Sequence, residues 1–253
     1  MNSKAQTSSI KAIILAAGIG SRIRPLTNNC PKSLLKVEGK PILEMMITNI
    51  LDCGITEVIL VLGYLQEQMK AFVTDKFPGL DVTYVVNENY ADTNTGYSLM
   101  LTEKEVGDST FIKFDADVVF DKTILSNLIE CDYENCLCID KNIQLDTEEI
   151  KVITGENNQV VKASKAVNPA EAIGESIGIE KISNTTAVKF FSKLRLMMEN
   201  ESKHQEYYEG AYERLIEQQV SFYALDITGL KWIEIDTLED FNEAATIWNN
   251  ADH

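Results

Sequence analysis

Four apolar residues, Ala12 to Leu15, run without a break into Ala16-Ala17-Gly18-Ile19-Gly20-Ser21, where every residue except Ile19 is small. A short apolar run bounded by glycine reads as a buried strand. A strand end that carries small residues lets backbone N–H groups approach an anion without Cβ clashes. Arg22, Arg24 and Lys32 follow closely. Fixed cations beside such a loop make a triphosphate site the natural reading. On its glycines alone, Gly18-x-Gly20 fits equally well a tight strand-to-helix turn with two solvated arginines. The segment is neither common phosphate loop. It lacks the GxxxxGK(S/T) spacing, and Ile23 stands where the third glycine of G-x-G-x-x-G belongs.

The rest of the first half keeps a strand–helix rhythm. Apolar runs of strand length occur at Ala12–Leu15, Glu57–Leu62, Val82–Val86, Thr110–Phe114 and Cys136–Ile139. Amphipathic stretches between them predict helices at Ile42–Asp52, Gln66–Lys76, Tyr97–Glu105 and Lys122–Glu130. This order argues for an α/β fold: a mixed, mostly parallel sheet with helices on both faces. In such sheets ligands bind at the carboxyl ends of strands, so the Gly18 loop and the Asp115-Ala116-Asp117 turn are candidates for one shared site. The second half changes character. Gly155-Glu156-Asn157-Asn158 between Ile150–Ile153 and Val160–Ser164 is a hairpin signal. Strands are predicted at Glu175–Ile182, Ser221–Leu225 and Trp232–Ile235, and helices at Thr185–Asn200, Tyr208–Gln219 and Leu238–Trp248. No linker separates the halves, so residues 11–253 read as one domain with a lid region, after a flexible polar tail at 1–10.

A hydrophobic content of 45% is enough for a full core. The net charge of −16 argues against nucleic acid and anionic membranes as partners, yet leaves room for a small phosphorylated molecule in a locally basic pocket. Five cysteines (Cys30, Cys53, Cys131, Cys136 and Cys138) show no framework spacing and read as reduced thiols in a cytoplasmic protein. The only two histidines, His204 and His253, argue against a zinc site, and none lies near a motif. The sequence leaves an oligomer open.

Two acidic strand ends stand out. Asp115-Ala116-Asp117 closes one apolar strand, and Glu234-Ile235-Asp236 closes another. Carboxylates so placed suit magnesium, which takes one or two of them together with phosphate oxygens. Each also has a plain structural reading. Asp121 is placed to cap the helix after it, and Asp236 or Thr237 to cap the last helix. Tyr90-Ala91-Asp92-Thr93-Asn94-Thr95-Gly96-Tyr97-Ser98 is polar and turn-rich, and its side chains suit helix capping.

The longer pattern adds a resemblance. L-A-A-G-x-G-S/T-R-x-x-P-x-T, followed by P-K-S/A-L-x-x-V-x-x-K-P, is carried by residues 15–27 and 31–41. It resembles the nucleotidyltransferases that activate sugar-1-phosphates and phosphocholine. Most of all it resembles the phosphocholine and 2-aminoethylphosphonate cytidylyltransferases, with inositol-1-phosphate enzymes somewhat similar. The resemblance covers residues 11–140 well, thins from 142 to 207, and returns at Tyr208-Glu209 and Glu234-Ile235-Asp236. It implies a nucleotide-diphospho-sugar transferase fold, with a nucleotide half (11–140) and an acceptor half (141–253).

The resemblance also implies roles. Leu15, Ala16, Ala17, Gly18, Gly20 and Ser21 would cradle the nucleotide. Arg22 would cover the β- and γ-phosphates and Lys32 the α-phosphate. Asp117 and Asp236 would hold Mg2+, although Ala116 stands where the family usually has glycine. Asn94, Thr95 and Ser98 would lie over the base, and the T-N-x-x-x-S-L form resembles cytidylyltransferases. The acceptor would meet Lys151, Lys165, Glu175, Tyr208, Glu209 and Glu234, with Tyr207, Tyr212 and Trp232 nearby. Aromatics mixed with carboxylates suit an ammonium group, while Tyr208, Tyr212 and Leu215 at helical spacing are equally a core stripe. The implied reaction takes CTP and a phosphorylated or phosphonate acceptor and releases pyrophosphate. Two alternatives remain: a sugar-1-phosphate or inositol-1-phosphate enzyme, and a silent nucleotide-binding regulator.

Overall fold

The computed structural model of the protein describes residues 10–142, 145 and 148–249. Residues 1–9 of the predicted tail lie outside the described residues, and Ile10 already opens the first strand. In chain order the strands are β1 (Ile10–Ala16), β2 (Lys36–Val37), β3 (Lys40–Pro41), β4 (Glu57–Leu62), β5 (Asp81–Val86), β6 (Thr110–Asp115), β7 (Val118–Phe120), β8 (Cys136–Asp140), β9 (Lys151–Thr154), β10 (Val160–Ser164), β11 (Gly174–Ile182), β12 (Tyr223–Asp226) and β13 (Trp232–Glu234). The helices are α1 (Ile42–Asp52), α2 (Gln66–Lys76), α3 (Thr95–Met100), α4 (Glu103–Val106), α5 (Lys122–Glu130), α6 (Asn184–Arg195), α7 (Glu209–Glu217) and α8 (Leu238–Asn249).

The main sheet runs β10-β9-β11-β6-β1-β4-β5, with β8 pairing β11 and β12. β1 lies parallel between β4 and β6, and β4 is parallel to β5. Beyond β6 the long strand β11 turns the sheet antiparallel, pairing β6, β8 and β9 along its length. Period-two alternation along β1 splits the core. Ile13 and Leu15 pack with Leu99, Phe190, Leu194, Tyr212 and Leu215 on one face. Ala12 and Ile14 pack with Met46, Ile50, Met69, Val73, Leu125 and Leu128 on the other. Burial on both faces explains why β1 and β4 read as unbroken apolar runs. Ile23, Leu35, Val37, Ile42, Val119, Ile235 and Ala244 form a smaller third cluster.

Several boundaries differ from expectation. The helix predicted over Tyr97–Glu105 is two pieces, α3 and α4. Between them the buried Thr102 turns its hydroxyl onto the Leu99 carbonyl at 2.8 Å, a local bond that competes with the helical ladder. The helix predicted over Thr185–Asn200 is α-helical only to Arg195 and continues as one π turn over Leu196–Asn200. The hairpin forms as expected, β9 against β10, with Asn157 and Asn158 in the left-handed region at its tip.

Candidate active site

Parallel pairing sets Leu15 of β1 beside Asp115 of β6, and the Ala116 N–H donates to the Leu15 carbonyl at 3.3 Å. The glycine loop and the first acidic turn therefore leave adjacent strand ends together. After the turn, β7 pairs antiparallel with β13, Val118 opposite Glu234. The Ile235 N–H donates to the Asp117 carbonyl at 3.1 Å. This small ribbon brings the second acidic strand end against the first.

These ends open onto a cleft of about 900 Å3. Leu15, Ala16, Gly18, Gly20, Ser21, Arg22, Lys32, Asn94, Thr95, Asp117, Lys165, Glu175, Tyr208, Glu209, Glu234 and Asp236 all line it. Gly20 sits at φ 64°, where a side chain is strained. A Cβ there would also press on Lys32 Cβ at 3.1 Å and Thr27 Cγ2 at 3.2 Å. The left-handed turn thus frees the space in which Lys32 reaches the acidic pair.

Lys32 Nζ lies 2.6 Å from Asp117 Oδ2 and 2.6 Å from Asp236 Oδ1. Burial works against its charge, but the two carboxylates outweigh burial and raise its pKa above the ordinary lysine value. Arg22 reaches Asp236 Oδ2 at 2.7 Å. Asp236 is free for this because it does not cap α8. Thr237 does: its Oγ1 accepts from the Asp240 N–H at 3.2 Å, and Asp240 Oδ2 accepts from the N–H groups of Asp236 and Thr237. Asp121 likewise caps α5 through the Thr123 N–H at 2.7 Å.

Asp117, Glu234 and Asp236 each offer an oxygen, and these oxygens lie within 4.8 Å of one another. An all-oxygen set of three carboxylates fits a hard divalent cation. Glu234 therefore groups with the two aspartates. Burial, then the charges of Asp117 and Asp236, push its carboxyl well above the usual range, against the pull of Lys32.

Five residues singled out in the sequence, Ala17, Arg24, Ser98, Lys151 and Tyr212, are not on the cleft wall. Ala17 turns its side chain into the core with Ile13 and Leu15, and its carbonyl accepts from the Tyr64 N–H. Ser98 is buried and accepts from Asn87 Nδ2 at 3.0 Å. Because Asn87 also donates to Thr93 Oγ1 at 2.9 Å, Ser98 braces the loop that carries Asn94 and Thr95. Lys151 is buried, with its ammonium donating to the Glu149 carbonyl at 3.0 Å. Tyr212 joins the core stripe, stacked on Phe190. Arg24, an exposed residue, is also off the wall.

Sequence reasoning missed a buried polar knot behind the cleft. Lys113 is fully buried in β6. Its ammonium lies 2.8 Å from Asp115 Oδ2 and 2.7 Å from Glu180 Oε2. It also donates to the Gly178 carbonyl and to the Tyr208 hydroxyl. Burial opposes its charge, yet Asp115, Glu180 and Glu209 hold its pKa up, at about 12. A lysine inside the apolar run Thr110–Phe114 was the available signal. Thr95 Oγ1, on the cleft wall, is buried with no hydrogen-bond partner among the described residues.

Residues 11–155 match the family model described as Nucleotidyl transferase. A choline-phosphate cytidylyltransferase of Streptococcus pneumoniae (strain ATCC BAA-255 / R6) is 42% identical over 118 residues, 47% of this chain and 49% of that protein. The match thus spans about half the length of that relative. A CTP:phosphoglutamine cytidylyltransferase of Campylobacter jejuni subsp. jejuni serotype O:2 is 28% identical over 91% of this chain and 97% of its own. In three dimensions, a solved CTP:phosphocholine cytidylyltransferase from Streptococcus pneumoniae superposes with TM-score 0.80 at 28% identity, covering 95% of this chain and 99% of that one. With more than half of its length inside the family model, the chain belongs to the nucleotidyl transferase family.

Proposed function

We propose that the protein transfers CMP from CTP to a small phosphorylated or phosphonate acceptor bearing an amine, with release of pyrophosphate. One observation carries the reading. Lys32 and Arg22 converge on Asp117 and Asp236 directly beside a small-residue strand end. Such a group can bind a polyanion and neutralise charge that shifts during phosphoryl chemistry.

Asp117, Glu234 and Asp236 would hold a divalent ion, Mg2+ in this reading, which supplies charge neutralisation at the α-phosphate. The remaining roles belong to the chain. Backbone N–H groups of the Gly18–Ser21 loop donate to the phosphate oxygens. Arg22 follows the β- and γ-phosphates as they become the leaving group. Lys32 moves from the carboxylates onto the α-phosphate. Asn94 and Thr95 face the base; the Thr95 hydroxyl, which has no partner among the described residues, supports a hydrogen bond to its edge. The acceptor's own anionic oxygen attacks in line, so positioning replaces a protein nucleophile. Residues 11–140 serve the nucleotide and 141–253 the acceptor. Five free cysteines fit a reducing, cytoplasmic compartment. No helix among the described residues is long and apolar enough to cross a membrane.

Pyrophosphate release with Mg2+ and 2-aminoethylphosphonate, compared across CTP, UTP, dTTP, ATP and GTP, tests the base assignment. Release with CTP at least about ten times faster than with UTP is expected. Faster release with UTP or dTTP would favour the sugar-phosphate branch.

A further inference from the structure

We propose that the acceptor carries a primary, hydrogen-bond-donating ammonium, received by Glu209, and that a trimethylated ammonium is discriminated against. The proposal rests on the CMP-transfer reading for the acceptor's anionic end, and on separate observations for its cationic end.

Glu209 is the first residue of α7 and lines the cleft, yet it is only 6% exposed. Its Oε2 has no hydrogen-bond partner among the described residues. A buried carboxylate oxygen left unpaired is costly, and a ligand donor removes that cost. The neighbouring charges point to the same ligand. Lys113 is the cation of the buried knot, and it is already shared between Asp115 and Glu180. Glu209 adds a third carboxyl to that single ammonium. One ammonium thus faces three carboxyls, and Glu209 is the one whose unpaired oxygen lies on the cleft wall.

The aromatic side chains argue against a quaternary ammonium. Such a group has no N–H and is recognised by open aromatic faces. Four aromatics line the cleft among the described residues: Tyr90, Tyr207, Tyr208 and Trp232. The Lys113 ammonium sits 3.9 Å from the Tyr208 ring centroid, and the Lys165 ammonium 4.8 Å from that of Tyr207. Both rings are therefore already faced by protein cations, which repel a second. Tyr90 packs beside Tyr64. Trp232 remains, its indole N–H donating to Asp140 at 2.7 Å. One ring makes a wall, not a cage. An ammonium with three N–H donors instead satisfies the free Glu209 oxygen.

The test pairs acceptors that differ only in N-methylation: 2-aminoethylphosphonate against its trimethylammonium analogue, and phosphoethanolamine against phosphocholine. Each is assayed for turnover with CTP and for binding by calorimetry in the presence of CTP without divalent ion. The expected result is a preference of about 10-fold or more in kcat/KM for the primary amines. In Glu209→Gln, KM for the primary amines should rise about 10- to 100-fold, mainly without a change in CTP affinity. Equal or better use of the trimethylated acceptors overturns the proposal, as does an unchanged KM in a folded Glu209→Gln. If nothing turns over, CMP transfer to these acceptors fails, but binding still decides the ammonium assignment. Primary-amine binding that is lost in Glu209→Gln supports it, and no binding to the wild-type protein overturns it.

Discussion

Lys32 Nζ sits 2.6 Å from Asp117 Oδ2, across 85 positions of sequence, and it holds Asp236 at the same distance. The acidic pair that would receive a divalent cation is thus bridged by a protein cation. Removing Lys32 should have two opposed effects. Lys32→Met should lower turnover by about 100-fold or more, because a charge aimed at the phosphates is lost. The same variant should bind Mn2+ without nucleotide more tightly than the wild-type protein does, since three carboxylates are left without their ammonium. Paramagnetic titration of free Mn2+ reads this directly, and equal affinity in both proteins would contradict the competition.

Asp117→Asn tests the carboxylate role with little change of shape. The side chain is part-exposed at a turn, and the Asp117 backbone carbonyl keeps its bond to Ile235. Turnover should fall by about 100-fold or more while the melting temperature stays within a few degrees. Retained activity would remove Asp117 from the metal set.

Acceptor affinity should depend on pH through Glu209. Burial, and then the Glu180 and Asp115 charges against the opposing pull of Lys113, raise its carboxyl to about 8. The hydroxyls of Tyr208, just before α7, and of Tyr212 on α7 face the same group. Below that value Glu209 is protonated in the free protein, and an arriving ammonium must displace the proton. Affinity for a primary-amine acceptor should therefore rise with pH up to about 8 and then level off. Calorimetry in buffers of different ionisation enthalpy should show about one proton released per acceptor below that pH. A flat profile in which Glu209→Gln behaves as wild type would refute the coupling.

Lys113→Met should destabilise the fold by about 3–5 kcal/mol, because it strands Asp115 and Glu180 without their counter-charge. The sign with pH is specific. The Lys113 pKa is raised in the fold, to about 12, so its contribution is complete below the unfolded lysine value and fades only as pH rises through about 12. Across neutral pH the wild-type contribution is constant. The penalty in the variant should shrink in acid, where the two carboxyls, raised by burial, take up protons. Denaturant midpoints at pH 5 and pH 8 measure it (about those values suffice).

Gly20→Ala should cost about 1–2 kcal/mol from its left-handed φ alone. It should also lower turnover, because the new Cβ meets Lys32 Cβ. Activity that follows stability alone, with Lys32 unmoved, would show that the turn is only structural.

Much of this was legible in sequence because parallel strands buried on both faces write themselves as apolar runs with small residues at their ends. Ala12–Leu15 and Thr110–Phe114 were visible that way, and their parallel pairing forces Gly18 and Asp117 to share a cleft. Asp236 was legible from its motif, but its freedom from capping α8 depended on Thr237 and Asp240 together. That Lys151 and Ser98 lie off the cleft wall was not legible, because a side chain's face cannot be read where a strand is hydrogen-bonded on both edges or a short helix turns inward. Lys151 pairs Ser164 on one side and Glu175 on the other. The Lys113 knot was missed for a different reason. Its partners Glu180 and Tyr208 come from β11 and from the turn before α7, 67 and 95 positions away, and a lone lysine in an apolar run shows its burial only once they are assembled.

The most direct measurement is mass spectrometry of the product formed from CTP, Mg2+ and 2-aminoethylphosphonate. CMP transfer requires a CMP–phosphonate adduct in step with pyrophosphate, and its loss in Asp117→Asn and Asp236→Asn. Pyrophosphate without an adduct, or an adduct formed only with a sugar phosphate, would contradict transfer to an amine-bearing acceptor.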